Sequence, residues 1–132
     1  MEACNLATNG RQITVPLIQT KPLFKFSNSL LISKWDADRK DFLFTFCGSK
    51  IVKNYSIDLS GKYISEAAEA ENVNFFITFY QDIIKSKEVE YISGDLGQIG
   101  KKYLNWDQVS MPLERDGTVN EVLSLINFNI QK

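Results

Sequence analysis

The chain has 132 residues and a formal net charge of −1, and 44% of its residues are apolar, including nine Phe and five Tyr. That is the size of one domain with enough apolar side chain for a real core, so general disorder is excluded. Histidine is absent, which removes Ser-His-Asp and Cys-His nucleophilic systems, HExxH and His-rich zinc sites, a proximal-His haem and a histidine kinase.

No cluster of Lys or Arg exceeds two neighbours, so the basic patch that nucleic acid or an anionic membrane surface requires is missing. No apolar run approaches the roughly 18 residues that span a bilayer. The opening MEACNLATNGRQ lacks the basic and apolar regions of a secretory signal. Cys4 and Cys47 do not form a disulfide pattern. These features point to a cytoplasmic protein with reduced thiols.

In chain order, residues 1–28 read as an N-terminal leader or arm, and 29–132 as one domain. Within the leader, Ile13 to Ile18 is interrupted by Pro16, which suits an edge strand or extended arm. Leaving Ile13, Val15, Leu17, Ile18, Leu23, Phe24 and Phe26 in water would be unfavourable, so this stretch is expected to cover its own sheet or a second copy. Ser29 to Asp36 and Phe42 to Cys47 are expected to pair as antiparallel strands across the polar turn DADRKD. Phe42, Phe44 and Phe46 fall on one face at period two. A short helix comes next, with Ser49 as its cap and Ile51, Val52 and Tyr55 along it. Ser65 to Ala70 suggests one more helical turn.

The longest helix is expected over Asn72 to Lys85, capped by Asn72, with Val73, Phe76, Ile77, Tyr80 and Ile84 at helical spacing. Glu88 to Ser93 alternates as a strand, and Gly94, Gly97 and Gly100 loosen the connection to the next one. Tyr103 to Leu113 and Val119 to Ile130 form a hairpin around Asp116-Gly117, a strong turn signal. Phe46, Phe76, Leu113 and Leu123 are expected in the core. Short connections between strands imply antiparallel pairing.

Two blocks carry a resemblance. Gly48-Ser49-Lys50-Ile51 with Asp58-Leu59-Ser60-Gly61-Lys62 fits G-[ST]-x-[IL] followed by D-L-[ST]-G-[KR]. Pro112-Leu113 with Asp116-Gly117 fits a late PL-x-x-D-G. Over about Ser29 to Phe128 the chain resembles the PAS superfamily, and within it a bacterial single-domain PAS subfamily. It departs from that subfamily at Thr45, where arginine is frequent, and at Ser56, where glycine is usual. The resemblance implies an α+β fold: a PAS-like five-stranded antiparallel sheet, with short helices and one longer helix packed on one face. The first and last strands would meet at its centre.

The glycines Gly48, Gly61 and Gly117 read as positive-φ or tight-turn positions. Gly94-x-x-Gly97-x-x-Gly100 lacks the Lys-Ser/Thr of a phosphate loop and reads as a flexible connection. Asp36, Asp38 and Asp41, like Glu66, Glu69 and Glu71, lack EF-hand spacing and read as solvated charge. Cys47 beside Gly48 could be a thiolate ligand or redox thiol, but reads more simply as a buried inert cysteine. The aromatics Phe75, Phe76, Phe79, Tyr80, Tyr103 and Trp106 could wall a planar-ligand cavity, which the PAS resemblance puts between the helices and the inner sheet face. The cavity candidates are Cys47, Ile51, Tyr55, Phe76, Phe79, Tyr80, Tyr103 and Trp106; no metal is indicated, and the sequence does not identify a cofactor.

The function so implied is a non-catalytic sensory or protein-interaction module in signal transduction. It would act through a downstream signalling protein, as a homodimer, and could bind a small molecule. The alternative is a small α+β cavity enzyme or carrier using Asp107 and Tyr103 as acids.

Overall fold

The computed structural model describes residues 13–14, 27–96 and 101–130. The rest of the 1–28 leader, Cys4, Gly97 and Gly100 lie outside the described residues. In chain order the elements are β1 (Ile13–Thr14), a 3₁₀ turn (Ser27–Ser29), β2 (Leu30–Asp36), β3 (Asp41–Cys47), α1 (Ser49–Tyr55), α2 (Ile64–Ala67), α3 (Ala70–Ser86), β4 (Glu90–Leu96), β5 (Lys101–Arg115) and β6 (Thr118–Ile130). Strands β2 to β6 are antiparallel, with β6 beside β2 at the centre, β3 and β5 flanking them, and β4 pairing with β5. The expected five-stranded sheet is therefore present. The two-residue β1 adds to it in parallel, setting Ile13 opposite Leu113.

Local chemistry accounts for the joints. The Asp36 carboxylate accepts the N–H groups of Asp38 at 3.1 Å and Arg39 at 3.3 Å, folding the β2–β3 turn back on itself. At the β5–β6 turn Asp116 and Gly117 have φ of 53° and 81°, the paired positive values of a type I′ hairpin. Gly61 is likewise at φ 82°. Gly48 is not: it sits at φ −65° as the N-cap of α1. Ser49, the expected cap, instead hydrogen-bonds Asn28 Oδ1 at 3.0 Å. Helix α1 ends at Ser56 with φ 65°, so a serine here takes the left-handed conformation that a glycine would adopt more readily. Helix α3 starts before the expected Asn72, with Glu69 at its N-cap. Gly94 belongs to β4 rather than to a loop.

The helices pack on one face of the sheet. There Leu31, Phe42, Phe44, Ile51, Leu59, Ile64, Tyr80, Ile83, Val122 and Ile126 form a buried cluster. On the opposite face Leu30, Ile32, Met111, Leu113 and Leu123 are all 9% exposed or less. Leu113 and Leu123 are core residues as expected, and Phe76 is partly buried against the helix-side cluster.

Phe46 is a correction: it is 41% exposed. Ile32 pairs with Phe46 and Ser33 with Phe44, so Thr45 is an extra residue in β3. This bulge reverses the alternation. Phe42 and Phe44 stay on the helix side, Phe46 turns away, and Cys47 packs against the core in its place. Asp41 is a second correction, since it is buried rather than solvated. Its carboxylate accepts the N–H of Phe42 at 2.7 Å and that of Ser65 at 3.3 Å, tying α2 to the start of β3. Asp36 does similar work, accepting the Tyr63 hydroxyl at 2.7 Å while Arg39 lies 3.9 Å over the Tyr63 ring.

Candidate functional site

Between α2, α3 and the helix-side face of the sheet lies a cavity of about 490 Å³. Its floor comes from the sheet: Leu31, Phe44, Trp106, Gln108 and Ile126. Its walls come from Tyr55 and Leu59, from Ile64, Ala67 and Ala68, and from Asn72, Phe75, Phe76 and Tyr80. β4 closes one side with Tyr91, Ile92 and Ser93. Phe75 is 55% and Tyr91 62% exposed, so the cavity reaches the surface between α3 and β4.

Strand alternation decides which β5 residues look inward. Trp106, Gln108 and Ser110 face the helices and pair with Phe128, Ile126 and Ser124 on β6. Tyr80 is 2% and Gln108 4% exposed, and the Gln108 amide Nε2 lies 3.0 Å from the Tyr80 hydroxyl. Nε2 is also 2.9 Å from Ser110 Oγ and 3.2 Å from Ser124 Oγ, while the two serine oxygens are 2.7 Å apart. The helix-side face thus carries a buried, uncharged polar cluster. Burial, opposed by hydrogen bonds to Gln108 and Ser124, pushes the Tyr80 phenol above its ordinary pKa. Burial also raises Tyr55 well above its own, helped by Tyr80 and Cys47 nearby. Both remain neutral hydroxyls across the physiological range.

Gly94 in β4 lies opposite Trp106, and a Cβ there would come within 2.8 Å of the indole. Glycine at this position is what lets the Trp106 ring lie flat over the edge strand and form the floor.

Of the expected cavity residues, Tyr55, Phe76, Tyr80 and Trp106 line the space. Ile51 is fully buried in the core and Cys47 is half-buried against it; neither lines the cavity. Burial raises the Cys47 thiol, with Asp58 adding to the shift and a backbone hydrogen bond from Leu59 opposing it, so no reactive thiolate is favoured. Phe79 flanks the site, stacked on Phe75 with ring centroids 6.0 Å apart. Tyr103 belongs to β5, but its side chain lies outside the described residues.

Asp107, the acid of the alternative reading, alternates to the other face, where Asn127 and Asn129 donate to it at 3.3 and 3.2 Å. No carboxylate lines the cavity among the described residues. Nor does any group of three or more Cys, Asp or Glu side chains come close enough to hold a metal among them. No helix among the described residues is long and apolar enough to cross a membrane.

Sequence reasoning passed over Gln108, Asn72, Tyr91 and the aliphatic floor. A signal was available. Trp106, Gln108, Ser110 and Pro112 share one strand face, and polar side chains alternating behind a tryptophan mark a face that is buried without being a plain apolar core.

No protein-family model matches the chain, and no curated protein matches its sequence. Among solved structures it is similar to the PAS domain of an HTR-like protein from Haloarcula marismortui. That match has a TM-score of 0.50 at 16% identity, and covers 79% of this chain and 85% of that one. The fold is therefore PAS-like, as the two sequence blocks implied.

Proposed function

We propose that this chain is a non-catalytic sensory module of signal transduction that binds a small molecule in the helix-side cavity and reports it to a separate signalling protein. The observation that carries this reading is the cavity itself. At about 490 Å³ it is within the range of small-molecule sites, and it has an aromatic lining with a few convergent polar groups. The PAS-like fold supports a sensory or interaction role, and the absence of a carboxylate from the described lining supports a role in binding rather than acid–base chemistry.

Signalling would run through packing. A molecule held between α3 and β5 changes how the helix sits on the sheet, and it shifts the protein only insofar as it binds one arrangement better than the other. A cytoplasmic homodimer is the assembly we propose, with the apolar stretch Ile13 to Phe26 at the interface. Light scattering tests it: the full chain is expected as a dimer and a shortened chain starting at Ser27 as a monomer. A monomeric full chain at high concentration removes the dimer. The sensory reading is tested by native mass spectrometry of protein purified from its own host. A co-purifying small molecule, released on denaturation, is expected; a uniformly empty protein contradicts it.

A further inference from the structure

The chemistry of the lining narrows the class of molecule, an inference that rests on the sensory reading above. No Asp, Glu, Lys or Arg lines the cavity among the described residues. Its polar side chains are the amides of Gln108 and Asn72 and the hydroxyls of Tyr55 and Tyr80, while Ser93 borders it from β4 with its side chain on the face of Asp107. An ionic group brought into this space would lose its water and meet no opposite charge, the costliest form of burial. Phe44, Phe75, Phe76 and Trp106, with Tyr55 and Tyr80, offer flat faces and edges on several sides.

Gln108 adds a specific demand. It is 4% exposed and lines the cavity, and its Nε2 is already engaged with the hydroxyls of Tyr80, Ser110 and Ser124. None of these three hydroxyls is bonded to its Oε1. A molecule that displaces water from this carbonyl without offering a donor leaves it unpaired, and one that offers a donor does not. We infer that the cavity takes an uncharged, largely aromatic molecule that presents one N–H or O–H donor to Gln108 Oε1 while its rings pack against Phe76 and Trp106.

Isothermal titration of the full chain with three probes of one shape tests this: phenanthridinone, whose lactam N–H is a donor; its N-methyl derivative, which has none; and phenanthrene carboxylate, which is anionic. Phenanthridinone is expected to bind about tenfold tighter than either of the others, the discrimination that a buried acceptor left unpaired enforces. Gln108→Met should bring the ratio of N–H to N-methyl affinity to about one. If Gln108→Met does not fold, the ranking on the unaltered chain decides alone. Equal binding of the lactam and its N-methyl derivative, or tightest binding by the carboxylate, overturns the inference while leaving the cavity a small-molecule site. Should no probe bind, the molecule found by native mass spectrometry decides: a neutral aromatic donor supports the inference and an ionic compound overturns it. An empty protein that binds no probe ends both this inference and the sensory reading.

Discussion

The two faces of the central sheet are built from the same strands and packed in opposite ways. On the face away from the helices Leu30, Ile32, Met111, Leu113 and Leu123 are buried. A charged side chain buried with them, Glu121, is clamped by Arg115 through contacts of 2.6 and 3.1 Å. On the helix side, the same β5 and β6 contribute Gln108, Ser110 and Ser124, and a cavity of about 490 Å³ remains. A sheet needs only one well-packed face to hold its register. The helix-side face combines a buried cluster with open space, and on the reading proposed above that space is where recognition occurs.

That division can be broken by substitution. Leu123→Ala removes a fully buried side chain from the packed face and should cost about 2–5 kcal/mol in chemical denaturation. Phenanthridinone affinity should stay within about twofold. A loss of affinity with little loss of stability would mean that the faces are not separable. Phe76→Ala sits on the other side of the comparison. The ring is only partly buried and already borders open space, so its loss should cost about 1–3 kcal/mol, below the range for fully buried Phe. It should weaken probe binding more than Leu123→Ala does; a stability cost above about 3 kcal/mol, in the range for a fully buried Phe, would show a closed cavity.

Gly94→Ala sharpens the comparison within the site. The added methyl would press on the Trp106 indole at 2.8 Å and force it toward the cavity. Reduced probe affinity and a shift in tryptophan emission are expected with a smaller change in melting temperature. An unchanged emission spectrum would show that Trp106 does not move.

The smallest effect concerns Asp36. The Tyr63 hydroxyl, followed by the backbone N–H groups of Arg39 and Asp38 and the Arg39 charge, holds this carboxyl below the ordinary aspartate value. A group with a lowered folded pKa adds stability above its unfolded value, near about 3.9, and that stability disappears as pH falls through the folded value. Tyr63→Phe should therefore lower stability slightly near neutrality, with the difference from the unaltered chain fading as pH falls below the unfolded aspartate value. Arg39 and the exposed position keep the effect small. A stability difference that widens as pH falls would contradict the assignment.

The frame of the fold was legible in the sequence because its signals are local. Alternation marked β2 and β3, helical spacing marked α3, and Asp116-Gly117 marked the hairpin that the positive φ angles confirm. What escaped was non-local. Thr45 becomes a bulge only because β2 has no residue to oppose it, so Phe46 could not be told from Phe44 by period alone. Asp41 reads as a loop charge until the Ser65 N–H arrives from a distant helix turn. The site divides similarly. Tyr55, Phe76, Tyr80 and Trp106 were found as aromatics on the elements that build the wall. Gln108 was missed because its value lies in three hydroxyls brought to it by β6, α3 and its own strand.

The most direct test of a helix-side binding site is a crystal structure of the full chain purified from its own host without unfolding. Density is expected for one non-protein, uncharged molecule between α3 and β5, bounded by Phe76 and Trp106 and within hydrogen-bonding distance of Gln108 Oε1. A structure in which Phe76 and Trp106 close on one another, leaving no space on the helix side, would contradict it.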